Sequence, residues 1–307
     1  MTRARVLCIV GPTAIGKSDL ANEVALRLRG EIVSVDSMQV YRGMDIGTAK
    51  VSGLEREHLH MVDVADITKP YSVTHFQRDA RACVNEIAER GLVPILCGGS
   101  GLYLDAVIDD MSFPPGKIGD EKRTSYDRLV EERGARWAYD LLCERDPKSA
   151  ELIHPNNARR VIRALELHDE GKNYFEHHKG LKRRKPYYDA TIWGLTMPRE
   201  ILYARIDARV DDMVRQGLLD EVRKLERAGL RESSTASQAI GYREMLAFLD
   251  GRYDFDQAVE LIKRNTRRYA KRQLSWLKRD GRARMLDAGS SNKRELTETI
   301  CRDWGQP

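Results

Sequence analysis

Gly11, Pro12, Thr13, Ala14, Ile15, Gly16, Lys17 and Ser18 satisfy the pattern G-x-x-x-x-G-K-[ST], set between an apolar run and an amphipathic one. Such a loop turns its backbone N–H groups toward one point at the start of a helix. Lys17 adds a point charge there, and Ser18 a hydroxyl able to ligate magnesium. The chemistry is capture of a phosphorylated ligand, and the motif alone favours ATP or GTP. A nucleotide-hydrolysing site also needs a carboxylate at the end of a later strand, yet "LVPILC" runs into Gly98, Gly99, Ser100 and Gly101. An earlier apolar run does end in a carboxylate: Asp36 follows "EIVSV" and opens the polar stretch "DSMQVYRGMDIGTAK". At the carboxyl edge of a parallel sheet Asp36 is expected beside the phosphate loop. A turn cap formed with Ser37 is the plainer alternative.

Charge offers a second chemistry. Residues 261–284 hold ten Lys or Arg and one acid, and Lys263, Arg267, Lys271 and Arg264, Arg268, Arg272 recur every four residues. On a helix this makes two adjacent basic rows, suited to phosphates or else simply solvated. Tyr269 and Trp276 beside the rows fit nucleic-acid stacking or a core equally. Two further clusters, "NNARRVIRALE" and "KGLKRRKPYY", lie earlier in the chain. "SQAIGYRE" puts Arg243 at a helix start, where a capping role and a diphosphate or RNA role stay open. His58 and His60 alternate as on a strand but lack a third ligand nearby, so they read as core or hydrogen-bonded side chains. Cys97 has no local base and reads as small-residue packing.

The elements that must position these groups follow from periodicity. "RVLCIV" predicts a buried strand, "SDLANEVALRLRG" a helix capped by Gly30, and "EIVSV" a second strand. Helix "THFQRDARACVNEIAERG" and strand "LVPILC" continue the alternation, so a P-loop NTPase-like α/β fold with a parallel sheet flanked by helices is expected. From "SFPPGKIGDEKR" the strands vanish until "ATIWGLTM", which predicts an inserted all-helical subdomain over 112–188 between core segments 1–111 and 189–307. Helical segments at 198–228, 242–250 and 256–279 then complete the core.

With 307 residues, 41% of them apolar, and a net charge of +5, the chain is a packed protein whose basic character is local. Cys8, Cys83, Cys97, Cys143 and Cys301 are odd in number and scattered, which argues against disulfides and zinc and for a cytoplasmic setting. The apolar run Val6 to Val10 is too short for a signal segment, and no stretch approaches the roughly 20 residues of a membrane span.

Seven blocks in order, "GPTAIGKS", "DSMQVYRGMDIGTAK", "YSVTHF", "GGSGLY", "HPNNARRVIRALE", "SQAIGYRE" and "AKRQLSWLKR", resemble the signature blocks of the bacterial tRNA dimethylallyltransferases. The resemblance implies transfer of a dimethylallyl group from dimethylallyl diphosphate to the exocyclic amine of the adenosine 3′ to the anticodon. It implies that residues 11–18 and Arg243 hold the diphosphate with magnesium at Ser18. It makes Asp36 the general base, with Lys17 and Ser100 assisting. Asp36, Ser37, Met38, Gln39 and Ser100 would grip a flipped base, and Arg123, Arg159, Arg160, Val161, Ile162, Arg163, Arg268 and Arg272 would contact the anticodon stem-loop. A monomer is expected. Ser100 stands where the family usually has Thr, and "TAKV" replaces the usual "TAKP".

Other readings each lack a feature. A prenyltransferase of free adenosine phosphates has no use for a basic helical insert, and a small-metabolite kinase would not need so many cations. A GTPase-like switch should carry an N/T-K-x-D segment, which is absent.

Overall fold

Strand β1 (Arg5–Val10) is apolar on both sides because both of its faces are covered, as befits a central strand of a parallel sheet. Val6, Cys8 and Val10 enter one apolar cluster, while Leu7 and Ile9 enter the other. β1 lies between β4 (Val93–Gly98) and β5 (Asp189–Thr196), and β2 (Gly30–Val35) lies beyond β4. The short strands β3 (Leu59–His60) and β6 (Arg284–Asp287) close the edges, giving the order β3-β2-β4-β1-β5-β6 with every pairing parallel. The computed structural model describes residues 3–51, 58–113, 121–182 and 185–305.

Helices cover both faces, so the expected α/β class with a parallel sheet is met. Helices α1 (Lys17–Leu28), α9 (Arg199–Arg215) and α13 (Lys293–Trp304) bring Leu20, Val24, Leu202, Ile206, Leu296 and Ile300 to the Leu7/Ile9 side. Helices α2 (Val73–Glu89), α3 (Gly101–Ile108), α10 (Leu218–Arg227) and α11 (Tyr242–Leu249) supply Phe76, Val84, Leu104, Val222 and Met245 to the other. Helix α12 (Phe255–Leu277) starts with a capping box between Asp254 and Gln257 and packs on α9, α11 and α3.

The second compact unit, Asp110–Lys185, is separate from the unit formed by 1–109 and 186–307. It consists of α4 (Glu121–Arg133), α5 (Ala135–Arg145), α6 (Pro147–Ala150), α7 (Ala158–Asp169) and α8 (Tyr174–Lys182), with no strand among its described residues. Its core includes Tyr126, Ala138, Leu142, Ile153, Ile162 and Leu165.

Several local expectations are corrected. The cap of α1 is Arg29, left-handed at φ 53°, and Gly30 instead begins β2. The helical segment 198–228 is two helices, parted at Gly217 with φ 95°. Residues 186–188, placed in the insert on the sequence, belong to the core unit, where the Tyr188 hydroxyl donates to Asn85 at 2.8 Å. The expectation for Asp36 is met by another route: β4 lies between β1 and β2, yet Asp36 lines one cavity with Thr13 and Lys17 of the phosphate loop. The three strands end level, with Val10 and Val35 both in register with Gly98. A Cβ on Gly98 would lie 2.1 Å from the Val35 carbonyl oxygen, so only glycine lets the strands end this close together.

Candidate active site

The phosphate loop leaves β1 with the Gly11 N–H bonded to Gly98 O at 3.3 Å. Ala14 and Gly16 are both left-handed, at φ 63° and 96°, which tips successive N–H groups toward a common centre. Lys17 Nζ donates to Pro12 O at 2.6 Å. Burial pushes the Lys17 pKa down to about 8, and the charge of Arg209 pushes the same way. Ser18 is exposed and lines the same cavity as Thr13 and Lys17.

Two side chains brace this loop from far along the chain. Gln273 of α12 accepts the Thr13 N–H through Oε1 at 2.9 Å and donates through Nε2 to Gly99 O at 3.0 Å. Arg209 of α9 donates to Thr13 Oγ1 at 3.2 Å; burial lowers its pKa, opposed by the charge of Asp36. Neither was singled out for a role on the sequence. Arg209 flanks the buried stripe Leu202, Ile206, Val210, and a cation beside such a stripe is the signal that could have marked it.

Asp36 opens the turn after β2. Its Oδ1 accepts the N–H groups of Met38 at 2.8 Å and Gln39 at 3.3 Å, so the capping alternative is realised, with Met38 and Gln39 as donors. Oδ2 has no hydrogen-bond partner among the described residues. One oxygen fixes the carboxylate while the other stays available toward the cavities that Asp36 lines.

There are two such cavities, and they share Thr13, Asp36, Thr48, Arg209 and Tyr269. The first adds Lys17, Ser18, Gln39, Cys97 and Gly99; the second adds Ser37, Met38, Gly47, Arg243 and Arg272. A carboxylate and anion-binding groups thus stand together among the five residues that line both cavities. There burial pushes the Tyr269 hydroxyl up to about 12, with Asp36 adding to the shift.

Other expected site residues sit differently. Ser100 itself lines neither cavity: its hydroxyl accepts the Ser37 N–H at 3.2 Å and is hydrogen-bonded with Tyr269, which lines both. The Gln39 amide is engaged at both ends, accepting from Ser34 at 2.8 Å and donating to Thr48 O at 3.1 Å. Arg243 lines the second cavity with its Nε paired to Glu244 at 2.6 Å, and Arg209 takes the place expected of it at the phosphate loop. Trp276 is core, its ring against Gly101 and its Nε1 donating to Asp105 at 3.1 Å.

The basic rows of α12 divide. Lys263 pairs with Asp211 at 2.8 Å and Arg267 pairs with Asp207, both on α9, so the first two members of that row form a seam with α9. Arg264, Arg268, Lys271 and Arg272 are exposed. In the helical unit Arg159 and Arg160 are exposed, and Arg163 and Arg123 reach the buried Glu166 at 3.1 and 3.9 Å. Val161 and Ile162 are 0% and 2% exposed, so their side chains support α7 from the core and offer RNA no surface. Arg183 and Arg184 of "KGLKRRKPYY" lie outside the described residues.

His60 stands 2.7 Å from Glu31 in an ion-paired cluster, where Arg90 above all holds the Glu31 carboxyl down at about 2. Among the described residues no group of three His, Cys, Asp or Glu could hold a metal. Burial pushes the Cys97 thiol up to about 11, which suits packing and not nucleophilic attack. No described helix is long and apolar enough to cross a membrane.

The IPP transferase family model matches residues 39–280. The tRNA dimethylallyltransferase of Carboxydothermus hydrogenoformans is 44% identical over 304 residues, 98% of this chain and 97% of its own. That of Bacillus licheniformis is 47% identical over 280 residues, 90% of this chain and 88% of its own. Among solved structures, the tRNA isopentenylpyrophosphate transferase of Bacillus halodurans superimposes with a TM-score of 0.72 at 40% identity, covering 99% of this chain and 96% of that one. A eukaryotic dimethylallyltransferase seen acting on tRNA gives 0.77 at 28% identity, covering 98% and 79%. With one family model over most of its length and near full-length relatives above 40% identity, the chain belongs to the tRNA dimethylallyltransferase family of prenyl-transferring enzymes.

Proposed function

We propose that the chain transfers a dimethylallyl group from dimethylallyl diphosphate to the exocyclic amine of the adenosine 3′-adjacent to the anticodon of tRNA. The observation that carries this is the pair of cavities joined at Thr13, Asp36, Thr48, Arg209 and Tyr269. One side offers anion-binding groups for a diphosphate, and the other opens beside exposed cations.

In this reading the loop N–H groups, Lys17 and Arg209 face the diphosphate and stabilise the charge it gains as the carbon–oxygen bond breaks. The electron pair of that bond leaves with the diphosphate. The amine nitrogen forms the new bond to carbon, and its proton passes to Oδ2 of Asp36, held in place through Oδ1. An adenine stacked in an anticodon loop cannot reach so enclosed a carbon, so the base is extruded, with Ser37 and Met38 on the wall that receives it. Magnesium fits as a companion of the diphosphate: Ser18 offers an exposed hydroxyl that would hold it, and among the described residues no group of three His, Cys, Asp or Glu competes for it. When bound, the ion offsets leaving-group charge. Arg268 and Arg272 on α12, and Arg159 and Arg160 on α7, are the surfaces for the RNA backbone. The enzyme acts as a cytoplasmic monomer.

The test is incubation with dimethylallyl diphosphate, magnesium and unmodified tRNA, followed by nucleoside analysis. A prenylated adenosine beside the anticodon is expected. Release of phosphate from ATP with no RNA product would refute the reading.

A further inference from the structure

The second half of the polar stretch that Asp36 opens, "GMDIGTAK", carries no group for the chemistry, yet it is held at several points by side chains. Lys50 Nζ donates to Tyr41 O at 2.6 Å and pairs with Asp45 and Asp63 at 2.8 and 2.6 Å. The stronger tether is Glu221, in the first turn of α10. Its Oε2 accepts the N–H groups of Asp45 at 3.0 Å and Ile46 at 2.7 Å. Its Oε1 accepts the N–H of Gly47 at 3.1 Å and the hydroxyl of Tyr242 at 2.6 Å. Four donors fill the four acceptor positions of one carboxylate.

A first-turn acid ordinarily serves its own helix. Here the carboxylate sits in a nest of three consecutive N–H groups belonging to another segment, the arrangement that binds free anions elsewhere. Gly47 then rests on the Tyr242 ring, where an added Cβ would meet ring carbon at 2.5 Å. The next residue, Thr48, lines both cavities, and its carbonyl holds Gln39. A chain of direct contacts therefore runs from Glu221 through Gly47 and Thr48 to the turn that begins with Asp36.

We propose that Glu221 is a positioning residue that sets the acceptor-side wall of the channel, with Tyr242 as its support. This rests on the reading of the second cavity as the place of the RNA base. Glu221 lines neither cavity, and of the three residues whose N–H groups it accepts only Gly47 lines one, the second, so its effect falls first on the acceptor side.

E221Q is the first test, because an amide presents N–H groups where two of the four donors need an acceptor. Y242F removes one donor and keeps the ring. Amide hydrogen exchange on E221Q should lose protection within residues 45–47, at Asp45 and Ile46 or at Gly47 according to which oxygen the amide nitrogen replaces, with the rest of the core unchanged. In steady-state transfer, E221Q should lower kcat/KM for tRNA on the order of 100-fold, as displacement of a reacting group by about 1 Å does. Y242F should lower it about five-fold through one lost hydrogen bond. The KM for dimethylallyl diphosphate should change far less than the tRNA parameter in both, because Gly47 lines the second cavity alone. Unchanged exchange at 45–47, or parallel loss of donor and tRNA parameters together with the melting temperature, would overturn the proposal. If E221Q does not fold, Y242F decides by the same split. A wild-type enzyme that prenylates no RNA would refute the proposed function, while the exchange measurement would still judge the tether.

Discussion

Replacing Asp36 by Asn separates the turn that this residue caps from the proton transfer proposed for it. Asn keeps an oxygen able to accept from the Met38 and Gln39 N–H groups, now at 2.8 and 3.3 Å from Oδ1, so the turn is retained. It removes the basic oxygen that takes the proton. General-base catalysis contributes about 10²- to 10⁴-fold, which is about 3 to 5 kcal/mol of transition-state stabilisation at 1.36 kcal/mol per decade. The turn should lose no more than about 1 kcal/mol, since a charged acceptor becomes a neutral one. Single-turnover transfer with saturating enzyme and labelled donor measures the chemical step directly, and filter binding of tRNA and the melting temperature complete the comparison. D36N should slow transfer by at least two decades with tRNA binding unchanged. D36A should add a lower melting temperature, because two N–H groups lose their acceptor. Transfer by D36N within three-fold of wild type would refute the base assignment, and equal loss of binding and transfer would make Asp36 structural.

The remaining expectations concern charge. Lys17 is lowered to about 8, so it is protonated below that pH and loses its charge as pH rises through it. The kcat/KM for the donor should therefore fall with unit slope above about pH 8, a limb that K17R moves to higher pH because guanidinium stays charged. A flat profile from pH 7 to 10 would count against Lys17 as the diphosphate's cation. R268A with R272A should reduce the salt slope of tRNA binding by about 1.4, at about 0.7 per single-strand phosphate contact. R267A should leave that slope unchanged and lower stability by about 1 kcal/mol, because it breaks a part-exposed pair with Asp207. A reduced slope in R267A would overturn the division of the two rows.

Uninterrupted apolar runs and amphipathic stretches are properties of contiguous residues, and β1, α2, β4 and β5 were legible for that reason. β6 was not, since Arg284–Asp287 is a four-residue edge strand with most of its side chains exposed and so lacks a pattern to read. The helix split at Gly217 was missed because Leu218, Val222 and Leu225 continue the apolar spacing across the break. In the basic helix, periodicity correctly grouped Lys263 with Arg267. It could not show that Asp207 and Asp211 of α9 lie opposite, because ion pairing between two helices depends on packing that no local window contains. Arg209, Gln273 and Glu221 share that difficulty: each acts on a loop more than a hundred residues earlier in the chain.

The position of Asp36 shows what strand order adds to a motif. A carboxylate at the end of β4 would adjoin the phosphate loop and be suited to a metal on the bound phosphates. That end is Gly98-Gly99-Ser100 instead, and Gly99 packs so closely on Gln273 that a Cβ would fall 2.2 Å from Nε2. Asp36 ends β2, one strand further out, and neighbouring strands lie about 4.8 Å apart, so about 10 Å separates the ends of β1 and β2. A side chain reaching inward from that distance meets the loop across the cavity that Asp36 lines together with Thr13, Lys17 and Ser18. A five-carbon group leaving a diphosphate and an incoming planar base are of the size to fill such a gap, with the glycine end of β4 as its floor. On the proposed reaction the carboxylate takes the acceptor's proton from this place, whereas the same residue one strand nearer would adjoin the donor's phosphates.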